Sequence, residues 1–146
     1  MITGASGSIG AELARQIARF SPASLILLDQ DETGIFWISR EFQERFSKIE
    51  HHSVVADIRD EQKMRSIFER HKPEIIFHAA AYKHVPLMEI EADEAVKNNI
   101  FGTSVVASVA LKYGAEKFVF ISTDKAVNPT SLMGATKRVG EMICEM

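Results

Sequence analysis

Cysteine occurs once in 146 residues, at Cys144. No disulfide can therefore close within the chain, a fold stapled by bridges is excluded, and a reducing, cytoplasmic setting fits. Basic surplus is missing too. The net charge is −3 and the pI near 6.0, which leaves a nucleic acid or an anionic membrane surface without its usual electrostatic partner. No apolar run approaches the roughly 18 residues of a membrane span, and the N-terminus lacks the basic stretch of a secretory signal. His51, His52 and His71 have no second His or Cys at metal-ligand spacing, so no metal is expected. Repeats and low-complexity tracts are absent. What remains, 46% hydrophobic and 25% charged residues, is the composition of one globular domain suited to a small metabolite.

Against that background the run Gly4-Ala5-Ser6-Gly7-Ser8-Ile9-Gly10 stands out, leading directly into the apolar-periodic Leu13, Ile17 and Phe20. Three glycines at this spacing let a backbone turn tightly from strand to helix and let a diphosphate approach the helix N-terminus without meeting a Cβ. A tight loop alone would also use them. The context favours a dinucleotide: Leu25 to Leu28 reads as a second strand, and Asp29 closes it about 19 residues past Gly10, where a carboxylate meets the adenosine ribose. A carboxylate accepts both ribose hydroxyls of NAD and repels the 2′-phosphate of NADP. NAD is therefore the expected cofactor, with Arg40 the cation that could swing in for NADP. Gly4, Ser6, Gly7, Ser8, Ile9, Gly10 and Asp29 are the first cofactor-binding candidates.

Apolar runs alternate with amphipathic stretches throughout, the pattern of an α/β, doubly wound parallel sheet with helices on both faces. Strands are expected at 1–3, 25–28, 53–56, 75–77 and 118–121, and helices at 8–20, 33–46, 61–71, 91–113 and from 132 onward. Right-handed crossovers then imply strand order 3-2-1-4-5, a Rossmann-type fold with ligands at the carboxyl ends of strands 1, 4 and 5. About three residues precede Gly4, where strands usually have five or six, and the last helix runs to the end. A truncated first strand and a missing substrate lobe are therefore expected. The chain would be the cofactor half of a longer protein, weakly stable and inactive alone.

Past strand 4, Ala79-Ala80-Ala81 offers small side chains beside a cofactor's diphosphate, or simply a close packing spot. Past strand 5 stand Ser122-Thr123-Asp124-Lys125, and the last helix opens with Met133-Gly134-Ala135-Thr136-Lys137. A hydroxyl, a carboxylate and two ammonium groups around one crevice exceed what a structural loop needs. The face Glu41, Glu44, Arg45, Lys48 reads as a solvated helix surface.

Residues 3–10, Asp57-Ile58, the run His78 through Pro86, Asn99-Ile100-Phe101-Gly102-Thr103, Ser122 through Lys125 and Met133 through Lys137 together resemble an extended short-chain dehydrogenase/reductase. More narrowly, they resemble the polysaccharide-biosynthesis 4,6-dehydratases of UDP-N-acetylglucosamine. The glycine spacing is common to the superfamily, whereas Thr-Asp-Lys with Lys-His-Val-Pro is specific to the dehydratase branch. The resemblance implies a hydride taken from sugar C4 and returned at C6 after loss of water, with the cofactor regenerated. Thr123 would hold the C4 oxygen, Asp124 would be the acid at C6, Lys125 the base at C5, and Lys137 would bind the nicotinamide ribose. Burial would have to raise the Asp124 pKa and lower that of Lys125 against their mutual attraction. Asp57 would reach the adenine amino group, Ile58 would pack the ring, and Asn99, Gly102 and Thr103 would tie their helix to the strand ends. Gly102 inside a helix costs about 1 kcal/mol against Ala and points to close packing. Lys83, His84 and Asn128 are candidates for the sugar pocket, with exposed loop positions the alternative.

One departure is decisive: Met133 stands where the superfamily has a tyrosine, and a thioether has no proton to exchange. Within the resemblance, Asp124, Lys125 or an ordered water would replace the phenol, or the site would be inactive. A 4-epimerase, which needs neither the acid nor the C5 base, and a non-catalytic NAD-binding module are the competing readings. The expected partner is a UDP-sugar. A homo-oligomer through the helix at 91–113 and the last helix is expected, with Val105, Val109, Leu111, Val139 and Ile143 serving either that or the core. Membrane contact would come only through segments outside these residues, anchoring a parent at the inner face.

Overall fold

The computed structural model describes residues 1–145. Five strands form one parallel sheet in the order β3-β2-β1-β4-β5: β1 (Ile2–Thr3), β2 (Ser24–Asp29), β3 (Glu50–Val55), β4 (Ile75–His78) and β5 (Lys117–Phe120). The alternation of strand β2 shows why the sheet needs cover on both sides. Leu25 and Leu27 point into a core with Ile2, Ala14, Ile35, Ile38 and Phe42, and Ile26 and Leu28 into another with Met64, Phe68, Ile76, Val106 and Val109. The first face is closed by α1 (Ser8–Ala18) and α2 (Glu32–Arg45), the second by α3 (Glu61–His71) and α6 (Thr103–Lys112). A third cluster, Met88, Ala95 and Met133, joins α4 (Val85–Ile90), α5 (Ala92–Val96) and α7 (Leu132–Glu145). No helix among the described residues is long and apolar enough to cross a membrane.

The order is the one expected from the glycine turn and right-handed crossovers, and four details differ from the sequence reading. Strand β3 starts at Glu50 rather than Ser53, because His51 and His52 pair with Leu25 and Ile26 although both are polar. The helix expected at 91–113 is interrupted by a π turn, Lys97–Gly102, and an additional short helix, α4, precedes it with Pro86 in its first turn. The charged face of α2 is not wholly solvated: the Arg15 guanidinium of α1 donates to both Glu41 carboxylate oxygens at 2.8 and 3.0 Å, clasping two helices on one face of the sheet. Of the apolar positions left open between core and interface, Val109 is buried and Val105 packs on the core, whereas Leu111 is exposed.

Candidate active site

Gly4 takes φ 69°, in the left-handed region that glycine tolerates, and its carbonyl accepts from Gly7 N–H at 3.1 Å. A Cβ on Gly10 would fall on that same Gly4 carbonyl oxygen, so the helix can start this close only with glycine there. Helix α1 has Gly7 at its N-cap with no side-chain cap and no acidic residue in its first turn, whereas α3 is closed by the Asp60 carboxylate accepting from Lys63 N–H. The opening amides of α1 are thus left for an anion.

They face a crevice of about 220 Å³ lined by Gly4, Ser6, Gly7, Asp29, Ile58 and Ala79 through Ala81, together with Asn98. The Asp29 carboxylate accepts from Ser6 N–H at 3.0 Å and from Asp31 N–H at 3.1 Å, which fixes it beside the glycine turn with lone pairs to spare. Arg40 is not turned toward it: its Nε donates to Glu44 at 3.0 Å, in a separate groove behind α2. Ile58 lines the crevice, and a Cβ on Gly102 would come within 2.6 Å of its Cδ1, the close packing expected of that glycine. Asp57 is differently placed from the sequence reading. Its carboxylate takes hydrogen bonds from the Arg59 side chain, the shortest 2.7 Å, and Arg59 reaches on to Glu94 at 2.9 Å. That guanidinium holds the Asp57 carboxyl below the usual range, and Asp57 is not part of the crevice lining.

A second cavity of about 310 Å³ shares Ala79 and Ala81 as a wall with the first and is lined by Ile9, Lys83, Ser122, Thr123, Lys125, Met133 and Lys137. The two adjoin through those shared residues, and together they make up the cleft lined by residues that follow β1, β4 and β5. Lys83 Nζ donates to Ser8 Oγ at 3.1 Å, beside the open end of α1. His84 is the N-cap of α4, Asn128 is an exposed residue at φ 47°, and neither lines the cleft. Lys137 is buried, 5% exposed, with its ammonium donating to the Ile121 carbonyl. Burial lowers its pKa to about 8. Met133 is equally buried, packed against Met88 and Ala95.

Asp124 and Lys125 overturn one expectation. The pair is exposed, 87% and 54% of the side chains reaching solvent, with Nζ 3.2 Å from Oδ1. Hydrogen bonds from Thr123 and Lys125 hold the Asp124 carboxyl below its usual value, the opposite of the rise that burial would produce. Nothing within residues 1–145 covers this loop, so attraction outweighs desolvation. Thr123 Oγ1 donates to Asp124 Oδ1 at 2.9 Å, an alignment that the adjacent pair alone did not disclose.

Behind the cleft lies a buried polar chain: the tie expected from Thr103 to the strand ends is made through His78, which was not singled out from the sequence. His78 is fully buried, its Nδ1 2.7 Å from Thr3 Oγ1 and its Nε2 3.0 Å from Thr103 Oγ1. Asn99, which the resemblance makes both a tie to the strand ends and a candidate cofactor contact, spends its amide on the protein: it accepts from Tyr82 N–H at 2.8 Å and donates to Tyr82 O and Thr136 Oγ1. Its neighbour Asn98 is the one that lines the crevice. Two consecutive asparagines in an apolar helix were the available signal.

A parallel sheet of this order, a glycine turn opening the first helix and a polar cluster after the fifth strand define a Rossmann-type domain of the extended short-chain dehydrogenase/reductase class. All of residues 1–146 match the family model described as "Polysaccharide biosynthesis protein", and the chain belongs to that family. It is 52% identical over 144 residues to the probable polysaccharide biosynthesis protein EpsC of Bacillus subtilis, covering 98% of this chain and 24% of that protein. With a UDP-N-acetylglucosamine 4,6-dehydratase (inverting) of Campylobacter jejuni it shares 33% identity over 144 residues, covering 98% of this chain and 41% of that one. The solved structure of Pen from Bacillus thuringiensis matches with a TM-score of 0.88 at 32% identity, over 97% of this chain and 42% of that chain. The chain spans less than half the length of each.

Proposed function

We propose that residues 1–146 are the dinucleotide-binding and catalytic part of a longer nucleotide-sugar 4,6-dehydratase of surface-polysaccharide biosynthesis, using NAD and acting on UDP-N-acetylglucosamine. The observation that carries this reading is a pair of neighbouring cavities sharing Ala79 and Ala81, one lined by Gly4, Ser6, Gly7 and Asp29 and the other by Thr123, Lys125 and Lys137. The residues fit a dinucleotide: the first turn of α1 has neither a side-chain cap nor an acidic residue to compete with a diphosphate, and Asp29 favours ribose hydroxyls over a 2′-phosphate. What NAD would supply there is a store for the hydride between C4 and C6.

The protein's own part begins with the C4 hydroxyl donating to Thr123 Oγ1. Thr123 already donates to an ionised Asp124, so the C4 proton passes through the threonine hydroxyl to the Asp124 carboxylate as the hydride leaves. Met133 need then supply no proton acceptor. Asp124, protonated by that step, is the acid that returns the proton to the departing C6 hydroxyl, and Lys125 takes the proton from C5 and gives it back there once C6 has been reduced, so that the net loss is one water. One carboxylate thus serves as base and then acid, which a low starting pKa permits and a permanently raised one would not. Lys137 orients the nicotinamide ribose and brings positive potential to the C4 oxygen.

The test is incubation of the complete protein carrying these residues with NAD and UDP-N-acetylglucosamine, followed by mass spectrometry of the sugar nucleotide. Loss of one water supports the dehydratase. An unchanged mass with inverted C4 identifies an epimerase, and bound NAD with untouched substrate identifies a non-catalytic module.

A further inference from the structure

The hydrogens of the buried chain can be assigned one by one. Thr103 Oγ1 donates to the Asn99 carbonyl at 2.7 Å, so toward His78 it can only accept, and Nε2 must carry the imidazole proton. Nδ1 is then the acceptor, and the Thr3 hydroxyl donates to it. Thr3 Oγ1 in turn accepts from Ala80 N–H at 3.4 Å. The order of donation therefore runs in one direction: Ala80 N–H to Thr3, Thr3 to His78, His78 to Thr103, Thr103 to the Asn99 carbonyl. Its two ends are two walls of the cofactor crevice. Ala80 packs on Gly4, where a Cβ would come within 2.6 Å of the Ala80 nitrogen. Asn99 belongs to the π turn, as does its neighbour Asn98, which lines the crevice together with Ala80. π turns occur frequently at functional sites, and the imidazole ties the end of this one to β1 through Thr103 and Thr3.

We propose that His78, which touches no ligand, is a positioning residue: held as the Nε2–H tautomer between Thr3 and Thr103, it sets the separation of the Ala79–Ala81 wall from the π turn and so the fit of the dinucleotide. The inference rests on reading the crevice as a dinucleotide site. Burial keeps the imidazole neutral, with a pKa near 3, and its ring stacks on Phe120 at 5.9 Å, so no charge competes with the chain of hydroxyls.

Two measurements test it. In ¹⁵N-histidine-labelled protein without ligand, long-range nitrogen–proton correlation should show His78 as the Nε2–H tautomer at neutral pH; an Nδ1–H tautomer overturns the proposal. NAD titration is then compared in wild type, His78→Gln and His78→Leu. Glutamine can accept from Thr3 and donate to Thr103, so its affinity should stay within about threefold, whereas leucine removes the acceptor of the Thr3 hydroxyl proton and the donor to Thr103 and should weaken NAD about tenfold in a folded protein. If His78→Leu does not fold, Thr3→Val and Thr103→Val replace it, with the same loss expected of each. A wild type that binds no NAD defeats the site reading itself. A wild type that binds while the folded apolar variants bind equally well defeats only the role of His78.

Discussion

The Lys137 ammonium lies 3.9 Å from the centre of the Phe120 ring and donates to the Ile121 carbonyl, so α7 hands its one buried cation to the carboxyl end of β5. A cation over an aromatic face recovers part of its lost hydration. The recovery is incomplete, because burial still lowers the Lys137 pKa from 10.5 to about 8.

That shift sets a pH dependence. Below pH 8 both folded and unfolded chains hold the Lys137 proton and the full cost of burying the charge is felt. Between pH 8 and 10.5 the unfolded chain binds more protons, so stability rises with pH. Urea unfolding of wild type and Lys137→Met across this window should show wild type gaining on the order of 3 kcal/mol relative to the variant; parallel curves would contradict the assignment.

The Arg15–Glu41 clasp acts at the other end of the scale. Hydrogen bonding to Arg15 lowers the Glu41 pKa from its usual 4.5, so its contribution is complete above about pH 4.5 and fades as pH falls through the lowered folded value. A double-mutant cycle with Arg15→Met and Glu41→Gln at pH 7 should give a coupling of about 0.5–1 kcal/mol, the upper part of the range for surface pairs because Glu41 is largely covered. The coupling should decline progressively as acid protonates Glu41.

Gly10 and Gly7 predict a contrast within one turn. A methyl at Gly10 meets the Gly4 carbonyl, a backbone atom that cannot swing aside, while at Gly7 the nearest atom is the same oxygen at 3.3 Å. Gly10→Ala should cost about 2–3 kcal/mol in urea unfolding and Gly7→Ala distinctly less. Equal losses would mean that the turn relaxes as a unit.

Asp124 separates chemistry from stability. Its carboxylate is exposed and its ion pair is screened, so Asp124→Asn should leave the thermal midpoint unchanged while abolishing dehydration by the complete protein. Thr123→Val should do the same, and Thr123→Ser should restore turnover, since only the hydroxyl is needed for the relay.

Much of this was readable in the chain. Leu25 through Leu28, apolar on both faces, announces a covered parallel strand, and the glycine turn and Asp29, both picked out in the sequence, line one crevice. The π turn was hidden because Val96 through Thr103 satisfies helical spacing as well as its wider alternative; the asparagine doublet matters only once both amides prove to be buried. In sequence His78 reads only as the residue that follows the fourth strand, since its partners Thr3 and Thr103 lie 75 and 25 residues away. The exposure of Asp124 and Lys125 was beyond reach for a different reason. Local sequence reports which groups are adjacent, and only tertiary structure reports what covers them.

The most direct measurement is calorimetric titration of NAD into wild-type protein and into Gly10→Ala. One saturable site in the wild type, lost or weakened at least about tenfold in the variant, is the result this account predicts. No saturable binding to wild type, or the same affinity in both proteins, would contradict it.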